Sequence, residues 1–279
     1  MNKFPPEWHA LGREAELAAE QLATGVTLLG RANHAQKGLY IQAFFALSIG
    51  FERIGKLILI ADHAISSNGS WLTDKQLRGK GHDIAALLDA CEPIAQVHVS
   101  DSEFGTRPSA PIHATIVKTL SEFAQTTRYY NLTSLNLGAA RRMREPIEAW
   151  WQEVGRLILK HHYSATQRER ALARAEFLEA LLGDVAKVLH YNESGDLIEN
   201  IETLMTHAGA TRIVQRYGRL YVMQLIRWLA TILAELSFKG AYEYRIEALL
   251  GLDERFRIFG NEDKYLLGRK TWSIYRLGR

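Results

Sequence analysis

Cysteine is nearly missing from this 279-residue chain. Its single cysteine, Cys91, has no partner, so an internal disulfide framework and any cysteine-built zinc site are excluded, and a reducing cytoplasm is the expected compartment. The apolar sequence around Cys91 makes it a packing residue rather than a nucleophile. An excess of charge of one sign is also missing. Lys and Arg number 34 against 31 Asp and Glu, a net of +3 that is too small to mark the chain as a whole as a nucleic-acid binder. The stretch "MNKFPPEWHALGREAE" has no apolar run able to act as a signal segment, so secretion is not expected. Metal spacings are absent too: the ten histidines are scattered, H-E-x-x-H does not occur, and the adjacent His161 and His162 point two ways on a helix. No metal and no cofactor are therefore expected. No G-x-x-x-x-G-K-[ST] follows a strand, which removes nucleotide hydrolysis of the P-loop type. Runs of strictly alternating β-branched residues are scarce.

What is present forms helices, and the chain is expected to be an all-α helical bundle. At 47% hydrophobic and 23% charged residues there is ample material for a sizeable core. Helices are predicted from about Glu7 to Ala23, from Gly38 through "GLYIQAFFALSIGFERIGKLILIADHAI", over "DIAALLDACEPIAQV" with Asp83 as its cap, and over "IHATIVKTLSEFAQTTRYYNLTSLNLG" as far as Gly138. Pro146 opens the next at "REPIEAWWQEVGRLILKHHYS", "TQRERALARAEFLEALLGDVAKVL" follows, and after a break at "HYNESGD" a long helix covers 210–238. Leu220–Phe238 is about long enough to span a bilayer, but Arg227 and Glu235 within it favour a buried core helix, and no membrane association is expected. A soft boundary divides a helical core, 1–163, from a C-terminal helical region, 164–279, which packs into the same domain or stands beside it.

The segment "FFALSIGFERIGKLILI", residues 44–60, carries most of the information about a site. Phe44, Leu47, Phe51, Ile54 and Ile58 form one stripe, and Phe45, Ile49, Leu57 and Leu59 cover most of the remaining circumference, as in a helix buried on all sides. Glu52 and Lys56 then fall among Phe45, Ile49 and Leu59, where burial obliges them to find partners. Two readings stand. Either they form an i,i+4 pair with Lys56 reaching water, or Glu52 with Arg53 or Lys56 holds residues of other helices in a buried polar network. Candidate partners are Arg78, Lys80, His82 and Asp83 of "RGKGHD", and Arg128 and Asn131 of "TTRYYNL".

The order "FFALSIGFERIGKLILI", a loop, "GHDIAALL", then "RYYNLTSL" resembles the HEPN superfamily of small all-helical domains over about residues 15–160. Such domains carry a helix like "LGIEKLLK" followed by a "GHDL..LL" segment. The resemblance implies a prokaryotic toxin, CRISPR or phage-defence setting and, for many members, metal-independent endoribonuclease activity in a homodimer. The active members place an Arg four to six residues before a His. The His takes part in proton transfer for attack of the ribose 2′-OH on phosphate, and the Arg stabilises the developing charge. The matching segment is "RLILKHH", with Arg156 followed by His161 and His162, although Leu157 stands where active members carry a polar residue. The alternative is that Lys160, His161 and His162 are cations favoured in a helix's last turn.

Arg141, Arg142 and Arg144 of "RRMRE", and Arg269 and Lys270 of "GRKTWSIYRLGR" with Trp272 and Tyr275 interleaved, could contact phosphate and stack on bases, or could pack and solubilise the tail. Two functions follow as expectations. One is an HEPN-like toxin or defence protein acting on or binding RNA. The other is a non-catalytic helical dimerisation module that binds a partner protein of the same system or a nucleic acid.

Overall fold

The structure, a computed structural model, describes residues 4–79, 81–127, 130 and 144–274. It is predominantly helical, as the sequence pattern requires, with one two-stranded hairpin. Helix α1 covers Pro6–Leu29, six residues beyond the predicted end at Ala23. A single turn at His34–Gln36, capped by the Asn33 side chain, leads into α2, Gly38–Ser66. The predicted loop after α2 contains a short helix α3, Asp74–Gly79, and then come α4, Ile84–His98, and α5, Pro111–Gln125. Helix α5 stops at Gln125, with Thr126 in a non-helical conformation, short of the predicted end at Gly138, a position outside the described residues.

Helix α2 is the centre of the bundle. Phe44, Leu47, Phe51, Ile54, Leu57 and Ile58 are all fully buried, and α1, α4, α5 and a long C-terminal helix surround them. Helices α1 and α2 run together closely through two reciprocal contacts. A Cβ on Gly25 would lie 2.6 Å from Leu47 Cγ, and one on Gly50 would lie 2.6 Å from Leu22 Cγ, so each glycine of one helix receives a leucine of the other.

The next helix begins at Pro146 as expected but changes pitch. Helix α6, Pro146–Ala149, passes into a π-helical segment, Trp150–Gly155, and continues as α7, Arg156–His162. Widening the turn lets two adjacent indoles face inward: Trp150 packs on Phe44 at 5.4 Å and Trp151 on His207 at 5.0 Å. Ser164 and Gln167 form a capping box at the start of α8, Ala165–Leu182, of which only Ala175 is buried. The predicted break then proves to be a hairpin, with β1, His190–Tyr191, antiparallel to β2, Leu197–Ile198. Helix α9, Ile201–Phe238, starts nine residues before the predicted 210, capped by Asn200. Its apolar half is core: Val222, Met223, Leu225, Ile226, Leu229, Ile232 and Leu233 are fully buried. Arg227 is satisfied there by the Asn261 carbonyl at 2.7 Å, by Asp263 at 2.9 Å and by the face of Phe104 at 3.8 Å. Short turns and α10, Asp263–Gly268, close the described chain, and buried side chains from Leu11 to Trp272 form one cluster spanning position 163.

The two ends of the described chain are sewn together. Trp8 Nε1 donates to the Leu250 carbonyl at 2.9 Å, Arg31 to Thr271 Oγ1 at 2.8 Å, and the Trp272 amide to Thr27 Oγ1 at 2.9 Å.

One buried histidine makes acid a threat to this core. His113 of α5 is 6% exposed and its Nε2–H donates to Gln224 Oε1 at 2.7 Å, while its Nδ1 has no partner. Burial first of all holds the imidazole below its ordinary value of 6.5, outweighing the favourable Gln224 contact. The unfolded chain then binds more protons than the folded one below about 6.5. The contribution of neutral His113 is therefore fully present above that pH and is lost as pH falls through it. In melts taken across this range, His113→Gln should flatten the acid side of the stability profile, and an unchanged slope would rule out His113 as its source.

Candidate functional site

The polar face of α2 is matched from two directions. Glu52 Oε1 accepts from Lys56 Nζ at 2.7 Å, and His82 Nδ1 lies 3.0 Å from both Glu52 oxygens. Burial works against ionisation of Glu52, but the Lys56 and His82 contacts outweigh it, and the carboxyl sits below its ordinary value. Arg53 turns the other way, to Glu14 of α1, with both carboxylate oxygens 2.7 Å from one guanidinium nitrogen. Asp83 caps α4 by accepting from the Ala86 amide at 3.2 Å and also accepts from Ser121 Oγ of α5 at 2.7 Å; these bonds, Ser121 foremost, lower its pKa. Thus the "GHD" segment is fastened to α2 by His82 and to α5 by Asp83. Arg78 pairs instead with Asp74 on the surface. Lys80, Arg128 and Asn131 lie outside the described residues. Asp83→Ala should cost about 0.5–2 kcal/mol, the range for loss of a helix N-cap, read as a lower midpoint in urea with unchanged slope; no shift would mean that the cap is redundant.

The candidates on α7 separate. His162 turns inward and stacks on Tyr217 of α9, with centroids 3.6 Å apart and planes at 9°, and its Nε2 lies 2.6 Å from Tyr221 Oη. Burial, then the neighbouring His161, keeps its pKa below the ordinary value. Arg156, Lys160 and His161 are exposed on the same short helix, and no hydrogen bond or ion pair among the described residues engages them. Of the basic clusters, Arg144 pairs with Glu153. Arg269 lies over Trp272 at 4.5 Å and donates to Tyr265 Oη at 2.7 Å, with Lys270 exposed beside it. Arg141, Arg142, Tyr275, Arg276 and Arg279 lie outside the described residues. Cys91 is buried, which pushes its thiol up to about 12 and leaves it a packing residue.

One buried carboxylate was not legible in any local spacing. The β1–β2 turn carries Glu193, whose side chain is fully buried. Its Oε1 accepts from Tyr40 Oη of α2 at 3.0 Å, and its Oε2 lies 2.6 Å from His207 Nε2 of α9. Burial opposes ionisation of Glu193, but His207 outweighs it, so the carboxyl lies below its ordinary value, whereas burial and then Glu193 itself hold the Tyr40 phenol well above its own. His34, from the turn between α1 and α2, sets its ring 5.5 Å from that of His207 and 5.8 Å from that of His190. Its Nδ1 is buried without a hydrogen-bond partner among the described residues, and burial keeps the imidazole below its usual pKa. The turn is rigid: Asn192 Oδ1 accepts from the Ser194 and Asp196 amides at 2.9 Å, and Gln152 of the π-helical segment donates to Ser194 Oγ at 3.0 Å. His34, Glu193 and His207 bring a ligand atom each to within 4.8 Å of one another, a grouping that no local spacing in the sequence marks.

No protein-family model, curated protein or solved structure matches the chain.

Proposed function

We propose that this chain is an HEPN-like helical protein of a toxin or phage-defence type system that acts on RNA in the cytoplasm as a homodimer. The observation that carries the reading is the division of labour on α7: His162 is committed to Tyr217 and Tyr221, while Arg156 and His161 remain exposed with no ion pair among the described residues. An arginine and an imidazole open to solvent are suited to a phosphodiester, the first by charge stabilisation and the second by proton transfer. The homodimer is supported by α8 and the chain after it, where Phe177, Leu181, Val185 and Leu189 expose apolar side chains at four-residue spacing. Single-stranded RNA incubated with the purified protein and a chelator should be cut to products ending in 2′,3′-cyclic phosphate. RNA left intact across varied sequences would remove the nuclease reading.

A second reading, a non-catalytic interaction module, is favoured by the fastening of His82 to Glu52 and of Asp83 to Ser121, which gives the polar face of α2 a clamping role. Under that reading RNA or a partner protein is bound but not cut.

A further inference from the structure

We propose that His34, Glu193 and His207 bind one divalent first-row transition-metal ion, of which zinc is the representative, and that the ion locks the β1–β2 turn onto the α1–α2 turn and α9. The inference is independent of the RNA chemistry proposed for α7.

Three features of the group support it. The donor set, two imidazoles and one carboxylate with no thiolate, suits zinc and its first-row neighbours, whereas magnesium and calcium prefer all-oxygen surroundings. Donors bound to one tetrahedral ion at about 2.0–2.2 Å lie roughly 3.3–3.6 Å apart. The three ligand atoms here, all within 4.8 Å of one another, reach that arrangement by shifts on the order of an ångström. Surrounding groups already behave as outer supports of a metal site. Tyr40 fixes one Glu193 oxygen, Trp151 packs on the His207 ring, and the Asn192 turn fixes the backbone that carries Glu193.

A further feature distinguishes a metal site from an ion pair. A His207–Glu193 pair supported by Tyr40 is complete without His34. Yet the His34 ring stands 5.5 Å from that of His207, and its Nδ1 is buried with no hydrogen-bond partner among the described residues. A cation between the three side chains would give the His34 imidazole a role that the ion pair does not. It also places a positive charge beside a carboxylate that is otherwise shared between one imidazole and one phenol. Residues 34, 40, 193 and 207 come from four separate elements, so the ion would join the α1–α2 turn, the hairpin and α9 at one point.

The test uses the untagged full chain, dialysed against chelator and titrated with zinc, manganese or magnesium chloride in a calorimeter and in thermal melts. Zinc should bind at one ion per chain and raise Tm by about 5 °C once its concentration is about 100-fold above Kd; magnesium should do neither. His34→Ala removes no side-chain hydrogen bond among the described residues, only its edge contacts with His190 and His207, so without metal it should still fold with a slightly lower Tm, and it should lose the zinc response. Glu193→Gln keeps the volume and should weaken zinc at least tenfold, which covers the case in which the alanine variant fails to fold. A parent chain indifferent to every transition ion, or a zinc response of equal size in His34→Ala, would overturn the proposal.

Discussion

His161→Ala should lower RNA cleavage in chelator by about 10²–10⁴-fold, the usual contribution of a positioned general acid or base, and Arg156→Ala by about 10²–10³-fold through loss of charge stabilisation. The neighbouring His162→Ala should leave the rate close to that of the parent. Its ring is stacked on Tyr217 and bonded to Tyr221, so its removal takes away an aromatic pair worth about 0.5–1.5 kcal/mol and lowers Tm instead. Cleavage rate and melting temperature thus move on different variants. If His162→Ala abolished cleavage while His161→Ala cut normally, the inward ring would be the reacting group and the assignment on α7 would be reversed. If all three variants and the parent left RNA whole, the segment would be a helix end whose cations offset its dipole.

Gly50→Ala should destabilise the fold by about 1–3 kcal/mol, the cost of forcing an extra carbon into a packed contact. The added Cβ would stand 2.6 Å from Leu22 Cγ and 3.0 Å from the Leu22 backbone nitrogen, and Gly25→Ala meets Leu47 in the same way. Neither helix can yield alone, because α2 is hemmed in by α4, α5 and α9 on its other sides. The double glycine variant should lose several kcal/mol, a large share of the 5–15 kcal/mol that usually holds a domain together. Urea denaturation would measure this, and a double-mutant cycle pairing Gly50→Ala with Leu22→Ala should show a coupling of about 0.5–3 kcal/mol as the clash is relieved. Additive effects would mean that α1 and α2 slide apart freely.

The sequence was most legible where burial acts on one continuous element. The central position of α2 follows from apolar residues on every side of its wheel, and the core role of Leu220–Phe238 from its length and its embedded Arg227, here held by Asn261, Asp263 and Phe104. Asp83 was readable as a cap because capping is a contact three residues long. Three features were not. Strands of two residues are too short for a period of two to register, so the hairpin looked like a break. The π-helical segment arises because both Trp150 and Trp151 must face inward, a tertiary demand that helix periodicity hides. The His34–Glu193–His207 group was invisible because ligand motifs are recognised by local spacing, and these residues meet only through the packing of α1, α2, α9 and the hairpin. Both partners of Glu52 were within reach of the sequence: Lys56 as its i,i+4 neighbour, and His82, thirty positions away, as one of several candidates in "RGKGHD" among which only the packing could choose.

The seam between the ends of the described chain also sets a timetable for synthesis. Thr27 waits for Trp272, 245 positions later, which at about 5–20 residues per second is roughly 10–50 s on the ribosome. Helix α2 follows α1 out of the exit tunnel at once, so the paired glycines and leucines can meet early, but the Trp8 indole and the Thr27 hydroxyl lack their partners until residues 250 and 272 have left the tunnel. A nascent chain halted before residue 250 would therefore hold an assembled pair of helices with an open margin, the form most exposed to proteases and chaperones.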